Sequence, residues 1–416
     1  MNTTHLAIWL ISFLAIAGVI IRPFKITEYV WAIAGALILV IFGLILPADA
    51  LKGIAKGNDV YLFLTGMMLL AETAREEKLF DWLAAHATNL AKGSPYRLFL
   101  LIYLVGVIVT AFLSNDATAV VLTPAVAAAA RAAKVQKPLP YLLICAFIAN
   151  AASFVLPISN PANLVIYGAH MPPLLHWLSQ YLWPSVAAIA VTYIMLFITQ
   201  RKALKQTIET RIDIPSLQHG GKTALLGIII TAAALLMASA FDIQLGLPTA
   251  ITGILTSAIV IVSAKKSPWT VIKGVSWSVL PLVAGLFVIV EAVNATGLIQ
   301  NLSALLLQSA AHSTTGAVWQ SGIVIAFACN LINNLPVGLI AGSAVQTAHL
   351  PEMVKGALLI GVDLGPNLSI TGSLATILWL VALRREGLTV SAWVFLKLGA
   401  LIMTVAMLFT LAALWL

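Results

Sequence analysis

The sequence predicts an all-α polytopic membrane protein made of two inverted repeats of five transmembrane helices each, with one re-entrant hairpin and one broken helix per repeat. Three observations carry that prediction. First, 61% of the 416 residues are hydrophobic and 9% are charged, with a mean hydropathy of +1.02, a composition that cannot cover a water-soluble globule. Second, several apolar stretches are too long for one span and carry polar residues in their middles. Third, the chain repeats itself internally, with its motifs in the same order.

In chain order, the first apolar stretches fall at about 5–21, 29–46 and 58–73, each near the roughly 20 residues that cross a bilayer. The first lacks a basic leader and a small-residue cleavage site, so it reads as a retained span. Between Arg75 and Arg97, charges alternate with Leu79, Phe80, Trp82, Leu83 and Leu90, which suits an amphipathic helix lying at the interface. Residues 98–130 exceed one span and break at Ser114-Asn115-Asp116, the pattern of a re-entrant hairpin with a polar tip. Residues 140–166 break at Pro157-Ile158-Ser159-Asn160-Pro161, and a span follows at 180–200.

A linker, 201–221, separates this first repeat (1–200) from a second (222–416) in which the order recurs. Spans fall at 222–240, 248–264 and 276–292, a hairpin at 318–348 with Asn333-Asn334-Leu335-Pro336 at its tip, and a final span at 391–416. The stretch 353–383 is broken at Asp363-Leu364-Gly365-Pro366 and at Thr371-Gly372-Ser373. Proline and glycine at such breaks free backbone groups, which is tolerated at membrane depth only where protein or a water-filled cavity satisfies them.

A shift of 219 residues sets Gly66 on Gly285, Glu72 on Glu291, Ser114 on Asn333 and Asn115 on Asn334. A shift of 213 then sets Asn150 on Asp363, Ser159 on Gly372, Asn160 on Ser373 and Asn163 on Thr376. If each hairpin enters and leaves by one side, each half holds five complete spans, and an odd number inverts the second half. With the N-terminus outside, 19 of the 23 Lys and Arg residues fall on one side, leaving Lys52, Lys56 and Lys355 on the other and Lys397 in the last span. The positive-inside rule makes the rich side cytoplasmic. Both termini are then outside a bacterial inner membrane, and the linker is cytoplasmic.

Acidic residues in apolar segments are functional candidates, since a charge at membrane depth costs several kcal/mol unless paired or hydrated. Asp116 at the first tip and Asp363 at the second broken helix are the main candidates, for binding and for carrying a proton. Asp116 also fits a plain helix cap before Ala117, and Asp363 a partner for nearby backbone amides. Glu72 is a third proton candidate, although its place near a span end, like that of Glu291, also suits a structural role. Ser159, Asn160, Asn163, Asn333, Asn334, Ser373 and Thr376 cluster at the breaks with no Lys or Arg among them, which points to a neutral solute or a small cation.

Other chemistries fit poorly. The net charge of +8 is explained by cytoplasmic loops rather than by nucleic acid. Cys145 and Cys329 are too few and too far apart for a disulfide framework or a soft-metal site. His170, His176, His219 and His312 fall in expected loops, and no phosphate-cradling Gly-x-x-x-x-Gly-Lys-Ser/Thr loop is present. No cofactor is expected, and transport energy has to come from a gradient or a partner.

The motifs Leu113-Ser114-Asn115-Asp116, Ile158-Ser159-Asn160-Pro161-Ala162-Asn163-Leu164 and Asp363-Leu364-Gly365-Pro366 running into Thr371-Gly372-Ser373-Leu374-Ala375-Thr376 together resemble the arsenite/antimonite permease family of the ion transporter superfamily. The resemblance implies efflux of arsenite and antimonite with protons moving inward, sometimes with a soluble ATPase on the cytoplasmic face. It implies a site of Ser114, Asn115, Asp116, Ser159, Asn160, Asn163, Gly372, Ser373 and Thr376, to which the internal repeat adds Asn333 and Asn334. Asn150, where some relatives carry an acid opposite Asp363, and Val362, where a cysteine can occur, depart from the pattern. The alternatives are a sodium/proton antiporter of the same superfamily and a non-transporting scaffold for an ATPase.

Overall fold

A computed structural model describes residues 3–168 and 171–416; His170 lies outside the described residues. Among the described residues the elements are helices and short helical turns, with no strand. The first half runs α1 (Thr3–Ile21), α2 (Glu28–Ile41), α3 (Pro47–Lys56), α4 (Asn58–Glu76), α5 (Leu79–Leu90), α6 (Pro95–Phe112), α7 (Asn115–Ala117), α8 (Thr123–Ala132), α9 (Leu139–Ala151), α10 (Pro161–Tyr167) and α11 (Leu174–Gln200). A π-helical turn, Thr118–Leu122, joins α7 to α8 without a break. After the linker come α12 (His219–Ala240), α13 (Gly246–Ser263), α14 (Pro268–Gly274), α15 (Val279–Ala295), α16 (Leu298–His312), α17 (Thr314–Ile332), α18 (Asn334–Thr347), α19 (Glu352–Leu364), α20 (Leu374–Arg385) and α21 (Ala392–Ala412). The helix α12 starts three residues inside the segment read as linker.

Among the described residues, eight helical segments are long and apolar enough to cross a membrane, including α1, α6, α11, α12, α13, α17 and α21. Their starts follow local chemistry. Ser94 caps α6 by accepting from the Arg97 amide at 3.3 Å, Ser313 caps α17 from Gly316 at 3.1 Å, and Ser391 caps α21 from Val394 at 3.2 Å. Each hydroxyl satisfies one of the amides a helix start leaves orphaned.

The two hairpins are visible in how their arms run. The Tyr141 hydroxyl donates to the Pro95 carbonyl at 3.3 Å, and farther along Gly106 faces Ile144 and Ile148, so α6 and α9 are parallel. The returning arm α8 therefore ends on the side where α6 began. That side is the linker face: the Glu209 amide donates to the Ala133 carbonyl at 2.9 Å, and Gly93 abuts Thr210. In the same way α17 runs parallel to α19, with Gly322 beside Ala357 and Ala326 beside Gly365. The open end of this second hairpin, at Ser343 and Gln346, shares a cavity with Lys56, Asp59 and Glu291, at the end of α4 remote from the linker face.

The repeated glycines mark where the halves interlock. A methyl group on Gly66 of α4 would sit 2.2 Å from the Thr249 carbonyl oxygen of α13, and one on Gly285 of α15 would sit 2.8 Å from the backbone of Ala32 on α2. Only a hydrogen fits at such crossings, which lets helices without a hydrophobic drive between them pack by close contact. Each half thus packs one helix against the other half's outer pair, and the two halves form one body.

Candidate functional site

At the tip of the first hairpin Ser114 and Asp116 take different places. Ser114 is the cap, its hydroxyl accepting from the Ala117 amide at 3.1 Å, and Asn115 Oδ1 accepts from the Asp116 amide at 2.9 Å. The capping role considered for Asp116 is therefore taken by Ser114, and the Asp116 side chain lines two adjoining cavities instead. At the second tip Asn333 caps Leu335 at 3.3 Å and donates to the Thr371 carbonyl at 3.0 Å, with its backbone at φ 71°. A non-glycine residue there is strained, and the strain is held by those two bonds. Asn334 follows and faces the cavity.

The first broken helix restarts at α10, where Asn160 Oδ1 caps the Ala162 amide at 3.0 Å and Asn160 Nδ2 donates to Asp363 Oδ1 at 2.7 Å. Ser159 is buried and occupied: it accepts from the Leu156 amide at 3.1 Å and donates to the Ala111 carbonyl at 3.0 Å, tying the break to the hairpin. Asn163 donates to the Ser153 carbonyl at 2.9 Å. The second broken helix restarts at α20, capped by Ser373 through the Thr376 amide at 3.1 Å. Thr376 in turn accepts from Asn150 at 3.2 Å, and Asn150 also donates to Asn367 at 3.0 Å. Gly372 is a close approach, since a methyl group there would meet Asn330 Oδ1 at 2.6 Å.

Of the sequence-derived residues, the central cavity brings together Asn115, Asp116, Asn160 and Asn334, with Pro161, Leu335, Leu374 and Ala375 beside them. Among the described residues, four helices that follow a tip or a break begin at this cavity, the α7–α8 run, α10, α18 and α20, and α15 starts beside it at Val279. A helix start carries about half a positive charge on its free amides, so the site attracts oxygen-rich or negatively charged groups without any Lys or Arg. Ser114 borders the adjoining cavity, while Ser159, Asn163, Ser373 and Thr376 brace the breaks behind it. Asp363 is completely buried, and among the described residues its Oδ2 and Asn163 Oδ1 have no hydrogen-bond partner, an arrangement that buried polar atoms normally avoid.

Asn330 and Asn367 were not singled out in the sequence. Asn330 donates to the Gly365 carbonyl at 2.9 Å and accepts from Ser369 at 2.7 Å; Asn367 reaches the Phe147 carbonyl at 3.0 Å. Both are amides inside apolar stretches next to a break, the signal that selected their neighbours. His176, His219 and His312 sit in terminal turns of α11, α12 and α16, exposed and away from the site.

The central cavity holds about 30 Å³. Toward the linker face it adjoins one of about 60 Å³ that reaches Glu72 and Gly274. There both Glu72 oxygens accept from Arg75, at 2.5 and 2.9 Å, so the structure places Glu72 at a mouth rather than in the central cavity. At the opposite end lies a cavity of about 510 Å³ bordered by Glu291, which pairs with Lys56 at 2.6 Å. The helices α4 and α15 border all three.

A membrane-embedded helical body with two hairpin tips and two helix breaks around one mainly apolar cavity that carries Asn115, Asp116, Asn160 and Asn334 defines a multi-pass membrane transport protein. Residues 16–362 match the family described as CitMHS, citrate transporter. The chain is 31% identical to an arsenical pump membrane protein of Yersinia enterocolitica, over 82% of each chain, and 29% identical to one of Escherichia coli K12, over 92% of each. It belongs to the arsenical pump membrane protein family and matches the CitMHS group. In fold it is similar to the Alcanivorax borkumensis YdaH transporter, with a TM-score of 0.58 at 15% identity over 88% of this chain and 86% of that one. It is also similar to MtrF of Neisseria gonorrhoeae, with a TM-score of 0.52 at 13% identity over 91% and 83%.

Proposed function

We propose that this protein is a secondary-active exporter of arsenite and antimonite, carrying the neutral trihydroxides out across a bacterial inner membrane while protons move in. The observation that carries this reading is the central cavity itself. Four helix starts and the amides of Asn115, Asn160 and Asn334 surround a small space that Asp116 enters, and among the described residues no Lys, Arg, His or Cys lines it. A trihydroxide offers oxygens to the helix-start amides and hydroxyl protons to Asp116. Citrate fits less well, because a trianion with no guanidinium or ammonium to meet it relies on helix starts alone. The names of the relatives favour the same choice.

In this reading Asp116 and Asp363 carry the coupled protons. A neutral Asp363 suits its place, because its Oδ2 is buried with no hydrogen-bond partner among the described residues. Glu72 serves the linker-side mouth and relays protons to it. Residues 1–200 and 222–416 act as repeats inverted across the membrane, with the linker cytoplasmic and both termini outside, and alternating access opens the cavity first to one side and then to the other. A cytoplasmic ATPase, where one is present, docks on the linker face.

The test is arsenite accumulation in inside-out vesicles under an imposed proton gradient, with a parallel sodium trial. Gradient-driven arsenite uptake is expected. Sodium-evoked proton flux without arsenite uptake makes the chain a sodium/proton antiporter, a reading that four helix starts around the cavity disfavour because they repel a bare cation.

A further inference from the structure

On the linker face, the end of α11 and the start of α6 enclose a groove of about 480 Å³ that the transport reading does not use. Tyr96 and Phe197, with ring centroids 5.9 Å apart, line it together with Arg201, Lys202 and Lys205. Behind the groove the rings continue as packing between the two helices, Phe99 lying 5.8 Å from Tyr193 and Tyr193 5.1 Å from Tyr103, with Phe99 and Tyr103 buried.

The three cations stand on a built turn rather than a loose end. The Ala203 and Leu204 amides both donate to the Gln200 carbonyl, at 2.9 and 3.1 Å, and the Leu204 side chain is buried. Gln206 clamps the turn to the end of the first hairpin, accepting from the Lys137 amide at 2.9 Å and donating to its carbonyl at 3.2 Å. Other cations of this face already have acids: Arg131 pairs with Glu386, Lys134 with Glu209 and Lys266 with Glu77. Among the described residues, none of Arg201, Lys202 and Lys205 has an acidic partner within 4.0 Å.

We propose that this groove binds the phosphodiester headgroup of an anionic membrane lipid, with an acyl chain lying over the exposed apolar side chains of α6 and α11 beside it. Basic pockets between transmembrane helices on the cytoplasmic side suit such headgroups, and aromatic rings favour the headgroup level. The choice of a lipid over a free anion rests on what flanks the groove. Leu100 on α6 and Ile194 and Ile198 on α11 are exposed apolar side chains of the same two helices, so a ligand with a hydrocarbon tail gains contacts that phosphate cannot.

The test titrates purified full-length protein in detergent with phosphatidylglycerol, phosphatidylcholine and inorganic phosphate, counting retained adducts by native mass spectrometry. Phosphatidylglycerol adducts are expected on the wild type. The triple variant R201Q/K202Q/K205Q is expected to bind them about 100-fold more weakly, at roughly 5-fold for each charge removed. A second variant, K222Q/K265Q/R384Q, removes three cations elsewhere on the face and is expected to keep wild-type affinity. Equal weakening in both variants, or equal retention of phosphatidylcholine, overturns the site. Displacement of phosphatidylglycerol by inorganic phosphate assigns the groove to a free anion and overturns the lipid claim. None of these results bears on arsenite transport, which rests on the central cavity.

Discussion

The two halves share their elements in order but differ at their breaks. In the first hairpin Ser114 caps and Asp116 faces the cavity; in the second Asn333 caps from a strained backbone, and the position matching Asp116 is Leu335. The broken helices reverse this, with Asp363 in the second half against Asn150 in the first. A third exchange joins them. Ser159 donates to the Ala111 carbonyl, whereas in the second half the break has Gly372 and the hairpin arm has Asn330, so the polar group has crossed from one element to the other. The backbone design is symmetric because helix caps are needed at every break. The charge is not, since each half contributes one carboxylate, from a different kind of element.

That asymmetry can be tested by removing it. The largest effect is expected from Asp116→Asn: arsenite extrusion by intact cells falls to the level of cells without the protein, while the variant stays folded in the membrane and elutes as the wild type does from size exclusion. Normal extrusion would remove Asp116 from the mechanism. Next is Asp363→Leu, which leaves the buried Asn160 Nδ2 without its acceptor and costs about 1–3 kcal/mol; Asp363→Asn keeps the acceptor and is expected to melt close to wild type but to transport poorly. Equal melting temperatures for the two variants would dismiss the Asn160 contact as unimportant.

The interlock of the halves predicts a cost of similar size. Gly66→Leu forces a side chain into the α13 backbone, destabilising the protein by about 1–3 kcal/mol, read as a lower denaturation midpoint, whereas the same change at Gly387, which has nothing within 4 Å of its Cβ position, is held to its backbone strain alone. The smallest effect is expected from Ser159→Ala, about 1–2 kcal/mol for the lost ties to the Leu156 amide and the Ala111 carbonyl. Asn330→Ala, which removes bonds to the Ala326 and Gly365 carbonyls and to Ser369, is expected to cost more. The reverse order would mean that the two ties are not equivalents.

Much of this was legible in the sequence because polar residues inside apolar stretches stand out. Ser114-Asn115-Asp116, Asn333-Asn334 and the proline and glycine around Asn160 and Asp363 marked the two tips and two breaks, and Gly66 and Gly285 marked the repeat. The division of labour among those residues was not legible. Whether Ser114 or Asp116 caps depends on backbone direction at one turn, which composition does not encode. That Gly66 packs against the other half's α13 is a fact of three dimensions. Asn330 and Asn367 stood among apolar residues like the others, but their repeat partners, Ala111 and Phe154, are apolar, so the internal comparison that picked out the candidate residues passed over them.

The most direct test of the account places purified protein in liposomes containing a pH-sensitive dye and adds arsenite outside. With the wild type, arsenite is expected to set protons moving, with Asp116→Asn silent and sodium without effect. Arsenite-evoked proton movement that survives in Asp116→Asn, or movement evoked by sodium alone, would contradict the claim that a neutral hydroxide and a proton are exchanged at this cavity.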